Sequence, residues 1–495
     1  MSLPDEKKPD ELLRQLGFAA AVSCGVGSII GSGIFKKPGL MASQLGSAEL
    51  LILVWLVAGI MSIFGALSIA EISGMFKEAG GQYIYFNACY NDFVGYLYGW
   101  AVFAIIQTGS IASIAYVFSD SLGHFIRFPR FGPSIEAFAI HIPFLGMITP
   151  FKFIGLKLST IALIVFLTCI NYLGVKLGGA TQTVFAVLKV AAILAIILLA
   201  FTLGDGSGRN FTESTIPAGT GLPSLFMMFF ITMSGAFWAY DAWINVTYMA
   251  GEIKDVQRNL PRAIATAVFI VIAVYILVNL AYIYVIPVSE MGQKYAAAEA
   301  EGQSYLVATD VASRFLGDWG GALIAVAIMI STFGATNGTL MMSARVYYAM
   351  AKEGLFFKRV ARVHPRFHTP GSSLIVQCAW ASVLTLSGTF DQLTDMLIFV
   401  SWAFYALGAL GVVILRRKMP DAPRPYKVWG YPYVPWIFIT FASVYIVFTL
   451  YSDITNFLHH RTPMINSAMG VFLVATGIPG YLYWKRKRRL SASSP

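Results

Sequence analysis

The chain has 495 residues, 57% of them hydrophobic and only 12% charged, with a formal net charge of +10 and a mean hydropathy of +0.68. A soluble domain carries about 25% charged residues, so this composition excludes an ordinary water-soluble enzyme, a disordered chain and a nucleic-acid binder. The apolar residues come in long blocks. A helix rising 1.5 Å per residue needs about 20 such residues to cross a hydrocarbon layer of about 30 Å.

Twelve blocks of that kind follow one another at about 17–43, 48–76, 93–123, 156–174, 179–203, 221–250, 260–287, 319–350, 371–389, 392–415, 432–451 and 464–484. They predict an all-α membrane protein with twelve transmembrane helices. The segment before them, 1–16, is charged, and the apolar run that follows is too long for the core of a cleavable signal, so none is expected. With both ends on the cytoplasmic side, 24 of the 35 lysines and arginines fall in inner segments and 10 in outer ones; Lys189 lies within a span. That bias follows the positive-inside rule and supports an even number of spans in the cell membrane. The basic tail, 485–495, reads as an anchor at an anionic inner leaflet. The outer segments 124–155 and 288–318 are long, and the second is polar enough to hold short surface helices. Cys24, Cys89, Cys169 and Cys378 sit in or beside apolar blocks and read as small hydrophobes, not a disulfide framework. The six histidines fall in loops or at span ends. No Cys/His cluster has zinc-ligand spacing, so no metal and no cofactor is expected.

Two blocks are interrupted. The first contains Gly25-Val26-Gly27-Ser28-Ile29-Ile30-Gly31-Ser32-Gly33. Four glycines in nine residues weaken a helix by about 1 kcal/mol each relative to alanine. The spacing is wrong for a dinucleotide fingerprint, and no strand precedes it. Close packing through small residues explains a glycine every fourth residue, but not the extra pair around Ser28 and Ser32. An unwound stretch is the better reading. The sixth block contains Thr232-Met233-Ser234-Gly235-Ala236-Phe237-Trp238-Ala239-Tyr240-Asp241-Ala242-Trp243, small residues followed by aromatics and a carboxylate at membrane depth. Spans one and six correspond if 17–203 and 221–415 are inverted repeats of five helices each, with 432–484 adding two more. Paired interruptions in matching positions of two halves point to a transporter's binding site. Freed backbone groups are tolerated at this depth only where they line a cavity. The half-helix starting near Ser32 offers amides and a positive dipole end to a carboxylate, and carbonyls around Ile29 and Trp238 can accept from an ammonium. A zwitterion matches both, which makes an α-amino acid the leading substrate.

Lys189 sits two residues from the midpoint of Gly179–Leu203, so each end is about 15 Å away, too far to snorkel easily. A central lysine costs roughly 2.5–3.5 kcal/mol on insertion scales. A structural cation paired with carbonyls is one reading. The functional readings are a fixed charge that replaces a sodium ion in bracing spans one and eight, or a titrating proton carrier. Glu71 reads as a packing or capping group and Asp241 as a network residue of the sixth-span break.

These features resemble the amino acid–polyamine–organocation superfamily, in its L-type amino-acid transporter branch. The motifs are Ile29-Ile30-Gly31-Ser32-Gly33-Ile34-Phe35; Trp238-Ala239-Tyr240-Asp241-Ala242-Trp243 with Gly251-Glu252-Ile253-Lys254 and Arg258-Asn259-Leu260-Pro261-Arg262-Ala263-Ile264; Phe333-Gly334-Ala335-Thr336-Asn337-Gly338 with Ser343-Ala344-Arg345 and Glu353-Gly354; and Arg424-Pro425-Tyr426-Lys427-Val428-Trp429-Gly430-Tyr431-Pro432. The resemblance implies that Ser32 and Gly33 hold the substrate carboxylate, with Gly31 between the broken ends as a further substrate-binding residue. It implies that the carbonyls of Ile29, Trp238 and Asp241 take the amine, and that Trp238 stands at an aromatic gate usually filled by phenylalanine. Lys189, with Gly27 and Ser331, would occupy the place of the second sodium site of sodium-coupled relatives, implying sodium independence. Ile105, Ile106, Gln107, Ser110, Ser401 and Trp402 are candidates for the side-chain pocket. Ala242 stands where the family motif has glycine. Segment 124–155 lacks the cysteine through which animal members join a heavy chain, so no disulfide-linked partner is expected.

The reading is therefore a sodium-independent secondary transporter of neutral L-amino acids, working by alternating access as an exchanger, with a small amino acid and the lipid bilayer as its expected partners. A proton-coupled symporter using Lys189 is the alternative; a transporter-fold sensor or a channel is more remote. Nothing resembles a filter or a nucleophile–base pair at membrane depth, so no enzyme is expected.

Overall fold

A computed structural model describes residues 16–300 and 304–492. The expected leading segment, apart from Leu16, and the last three residues of the basic tail lie outside the described residues, as do Lys7, Lys8 and Arg14.

The first span is split into α1 (Phe18–Ile29) and α2 (Gly33–Leu45), followed by α3 (Ala48–Met75) and the short α4 (Gln82–Cys89). The third span is α5 (Asp92–Ala101) and α6 (Gln107–Leu122), joined by a π-helical turn at Val102–Ile106. A surface segment then carries α7 (Pro133–Glu136) and the hairpin β1 (Ile140–Ile142) and β2 (Gly146–Ile148), after which come α8 (Ile154–Leu173) and α9 (Val175–Thr202). The second half runs α10 (Leu222–Tyr240), α11 (Val256–Val285), α12 (Val288–Ala300), α13 (Val307–Leu316), α14 (Asp318–Lys352), α15 (Gly371–Ser387) and α16 (Phe390–Lys418). The chain closes with α17 (Tyr433–Leu458), α18 (Asn466–Ala475) and α19 (Gly477–Ala492).

Among the described residues, ten segments are long and apolar enough to cross a membrane. The expected ninth and twelfth spans fall short of that measure. Helix α15 has 17 residues, about 26 Å at helical rise. The twelfth block is divided at Thr476 into α18 and α19, and α19 continues into the basic residues Lys485 to Arg489, which lowers its hydropathy. The structure is also not wholly helical. Strands β1 and β2 pair antiparallel, Ile140 opposite Ile148. The hairpin is tied to the chain before α18, where the Met147 amide donates to the Pro463 carbonyl at 3.1 Å and the Ile465 amide to the Leu145 carbonyl at 3.0 Å. The segment 288–318 does hold short helices, α12 and α13, and they pack on α2 and α14.

Local signals set the helix ends. Ser47 caps α3 by accepting from the Leu50 amide, and Thr389 with Gln392 forms a capping box at the start of α16. Gly46 ends α2 at φ +60°, a left-handed turn that glycine adopts without strain. Packing is then between helices distant in sequence: α3 lies along α11, α6 along α14, and α1 against α9, α11 and α14.

Several cations counted with the inner or outer segments are buried in helices. Lys36 and Lys37 lie on α2, and Lys157 near the start of α8 donates to the carbonyls of Thr149, Pro150 and Leu386. Arg345 is buried in α14, where its Nε donates to Glu252 Oε1 at 2.7 Å. Glu71 is the packing group expected of it: it accepts from Arg416 at 2.9 and 2.7 Å and from the Val428 amide at 2.7 Å, joining α3 to α16 and the chain beyond. A buried carboxylate is stable only when its oxygens are paired in this way.

Candidate functional site

Both interruptions are present, each shorter than the sequence suggested. Helix α1 continues through Gly25 and Gly27 as far as Ile29, and only Ile30, Gly31 and Ser32 lie between it and α2, with Ile30 extended. Helix α10 continues through Thr232 and Trp238 to Tyr240. It then breaks at Asp241, with ψ at 177°, and resumes as a 3-10 turn over Asn245–Glu252. Ala242, in this break, has φ +69°, which costs an L-residue about 1 kcal/mol. The glycine expected there would carry no such strain.

The two breaks touch. A Cβ added to Gly33 would meet the Ala239 Cα at 2.5 Å, so the absence of a side chain permits the approach. The Tyr275 hydroxyl of α11 lies 3.1 Å from the Ile29 carbonyl and 3.0 Å from the Ala239 carbonyl, one from each broken helix. Lys189 on α9 donates to the carbonyls of Gly27 and Ile30, both at 2.7 Å. These are the carbonyls that α1 leaves free by ending, so the lysine is a brace of the first break. Its expected partner on α14, Ser331, is buried, but its hydroxyl has no hydrogen-bond partner. The lysine thus braces span one without a bond to span eight.

Between the breaks is a narrow gap of about 10 Å³ lined by Ser28, Ile29, Gly31, Ser32, Gly33, Ser110, Ile114, Trp238, Asp241 and Ala242, room for about one water molecule. Seven of the expected binding residues, Ser110 among them, therefore meet at one place. The first amides of α2 have no intrahelical acceptor, and Ser32, at its N-cap, has a buried hydroxyl with no partner. The Ile29 carbonyl is shared with Tyr275, and the Trp238 carbonyl accepts from the Asp241 amide at 3.3 Å, so both are already engaged. Gln107 and Ser401 do not line the gap. Gln107 exchanges two bonds with the side chain of Asn245, at 2.7 and 3.3 Å. Ser401 is buried on α16 without a hydrogen-bond partner. Ile105 and Ile106 belong to the π-helical turn, and Trp402 stacks on Phe237 with centroids 3.6 Å apart.

On one side of the gap, Asp241 Oδ1 accepts from the Tyr405 hydroxyl at 2.7 Å, and Tyr98 and Tyr248 share a bond of 2.7 Å. On the other, Trp238 meets Phe390 edge to face at 5.9 Å. The Lys36 and Lys37 ammonium groups stand 4.6 and 4.9 Å from the Phe390 ring centroid. Lys36 pairs with Asp120 at 3.3 Å and Lys37 with Asp391 at 2.7 Å. Beyond this plug opens a vestibule of about 930 Å³, walled in part by Tyr116, His124, Lys294 and Asp310. On its rim, burial works against the charge of Lys294, but the carboxylates of Asp310 and Glu290 outweigh it and hold the lysine above its ordinary range. The roles of Tyr275, Ile114, Tyr405 and the lysine-flanked Phe390 were not legible in sequence: each is an ordinary residue of an apolar span until its distant partner is known.

Broken helices that meet at a cleft midway along a bundle of membrane-length helices define a secondary transporter. The comparisons agree. The chain matches the model of the amino acid permease family over residues 16–478. It belongs to that family, within the amino acid–polyamine–organocation superfamily, and is an amino-acid transporter, not an enzyme. It is 30% identical to the serine/threonine exchanger SteT of Bacillus subtilis (strain 168) over 486 residues, 97% of this chain and 98% of the relative. It is 29% identical to the human b(0,+)-type amino acid transporter 1 over 443 residues, 89% and 83% of the two chains. To the human cystine/glutamate transporter it is 28% identical over 491 residues, 98% and 89% of the two.

Proposed function

We propose that this transporter is a sodium-independent exchanger of small neutral L-amino acids, working by alternating access in the cell membrane. The observation that carries the reading is the Lys189 ammonium on the carbonyls of Gly27 and Ile30: a fixed cation meets the need that a bound sodium ion would otherwise meet. The substrate carboxylate is assigned to Ser32 and the amides of Gly31, Ser32 and Gly33, at the positive end of α2. The amine is assigned to the carbonyl oxygens of Ile29, Trp238 and Asp241 at the facing ends. Trp238, backed by Phe390, is the gate toward the vestibule.

Neutrality follows from the lining. Among the described residues it holds no cation to pair with an acidic side chain, and its one carboxyl group, Asp241, has Oδ1 engaged by the Tyr405 hydroxyl rather than turned to a substrate side chain. Ser28, Ser110 and the small gap favour short, polar substrates, in keeping with the serine/threonine exchange named for one relative. The wider architecture proposed is twelve spans, 17–203 and 221–415 as inverted repeats with 432–484 added, both termini cytoplasmic, and no disulfide-linked heavy chain.

Proteoliposome uptake tests this. Serine uptake is expected to need internal amino acid and to be unchanged when choline replaces sodium. Equal uptake by unloaded vesicles removes exchange, and loss of uptake in choline removes sodium independence. Accumulation driven by an imposed pH gradient would favour the proton-coupled alternative at Lys189.

A further inference from the structure

We propose that Asp395 and Asp453 form a binding site for a hard divalent cation of calcium's size, where α10, α16, α17 and α18 meet. This goes beyond the transport reading and does not depend on which amino acid is carried.

On α17, Tyr445, Thr449 and Asp453 recur at four-residue spacing and so share one helix face. Asp395 lies one turn beyond Asp391 on α16. The first two residues of α18 reach both carboxylates: Asn466 Nδ2 donates to Asp395 Oδ2 at 3.3 Å, and the Ser467 amide donates to Asp453 Oδ2 at 2.8 Å. The Ser234 hydroxyl of α10 donates to Asp395 Oδ1 at 3.1 Å. Consecutive residues thus hold the two carboxylates side by side.

Neither carboxylate has a cation within salt-bridge distance among the described residues. Lys37 is committed to Asp391 at 2.7 Å and Thr394 at 3.2 Å. The other ionisable groups facing the cluster are Tyr445 on α17, with Tyr295 and Glu299 of α12 nearby, and none of them supplies positive charge. Lys37 is the positive charge that reaches Asp395, but it is bonded elsewhere, so the two adjacent carboxyl groups have no cation in direct contact, a place that a bound cation would fill.

The second observation is independent of charge. The hydroxyls of Tyr445, Thr449 and Ser467 and the side-chain oxygen of Asn466 are buried without hydrogen-bond partners. Tyr445 and Ser467 have no exposed surface at all. The Tyr445 hydroxyl faces Ser234 and Thr449, beside the two carboxylates. Anchoring the N-terminus of α18 accounts for the bond from Ser467 to Asp453, but it leaves Asp395 and four unpartnered oxygens without a purpose. Carboxylate, amide and hydroxyl oxygens with no nitrogen or sulfur are the ligand set of a hard cation, which takes six to eight oxygens at roughly 2.3–2.6 Å. Bound there, it would fasten α10, the outer arm of the second break, to α16, α17 and α18.

The test uses the purified full-length protein in detergent, titrated with calcium chloride against choline chloride at constant ionic strength. A saturable rise in Tm of roughly 3 °C or more is expected, absent in Asp395→Asn and Asp453→Asn and retained in the exposed control Glu49→Gln. Terbium, a calcium surrogate, should show emission sensitised through the Tyr445 ring, lost in Asp395→Asn and reduced at least about threefold in Tyr445→Phe. Should the aspartate variants fail to fold, Ser467→Ala and Tyr445→Phe carry the test, each expected to weaken calcium's half-maximal concentration at least about threefold. No saturable calcium response, a response kept in both aspartate variants, or one elicited by sodium or by pH alone overturns the proposal.

Discussion

The two breaks are made in different ways. The first is opened by glycine and serine and braced from outside, by a lysine on another helix that holds the carbonyls of Gly27 and Ile30. The second contains no glycine at its turn. Its own carboxylate, Asp241, reaches across to the Tyr405 hydroxyl of α16, and an alanine takes the left-handed turn. A single charged brace can be removed at a stroke, whereas neutral hydroxyls from other helices, those of Tyr405 and Tyr275 among them, share the load at the second break. The contrast teaches where each half of the site should be fragile.

The sharpest way to break that comparison is Lys189→Met. It removes two charge-assisted bonds worth about 1.5–3 kcal/mol each, so serine counterflow in proteoliposomes should fall roughly 100-fold or more; retention of more than a tenth would show that the first break stands unaided. Gly33→Val comes next. Its Cβ lands against the Ala239 backbone, and overpacking of this kind costs about 1–3 kcal/mol, so uptake should drop roughly tenfold with a lowered Tm. Asp241→Asn keeps an acceptor for Tyr405 and exchanges a charged bond for a neutral one, a loss of about 1 kcal/mol. A few-fold fall in transport is expected, far milder than at Lys189, and equal losses at the two positions would erase the distinction. Ala242→Gly should act in the opposite direction, relieving up to about 1 kcal/mol of strain, less the extra freedom of glycine in the unfolded chain; thermal unfolding should shift upward. The smallest effect is expected at the vestibule rim, where Lys294→Met removes pairs with Asp310 and Glu290. Partly exposed ion pairs of this kind contribute about 0.2–1 kcal/mol and fade with salt, so the difference in Tm should shrink as ionic strength rises.

How much was legible in sequence follows the same division. The first break announces itself through four glycines, and Lys189 stands out as the one cation in the middle of its apolar block. The second break was located too early, because Thr232 to Trp238 look unsuited to a long helix yet pack well in one, while the turn itself carries an alanine that gives no warning. The burial of Lys36 and Lys37 was hidden for a different reason: their carboxylate partners lie 84 and 354 residues away. Tyr275 could not be singled out, since a tyrosine in an apolar span is usually an ordinary packing residue until the carbonyls it meets are known. The ten clear spans were plain from length and hydropathy alone; α15 and the divided twelfth block were not, since a helix one turn short and a helix carrying a basic tail both look continuous as strings of letters.

The shared tyrosine has a consequence for motion. One hydroxyl hydrogen cannot satisfy two oxygens equally, so when the half-helices slide apart Tyr275 must side with one of them and abandon the other. The choice costs little in either direction, which suits a latch that has to let go on every cycle.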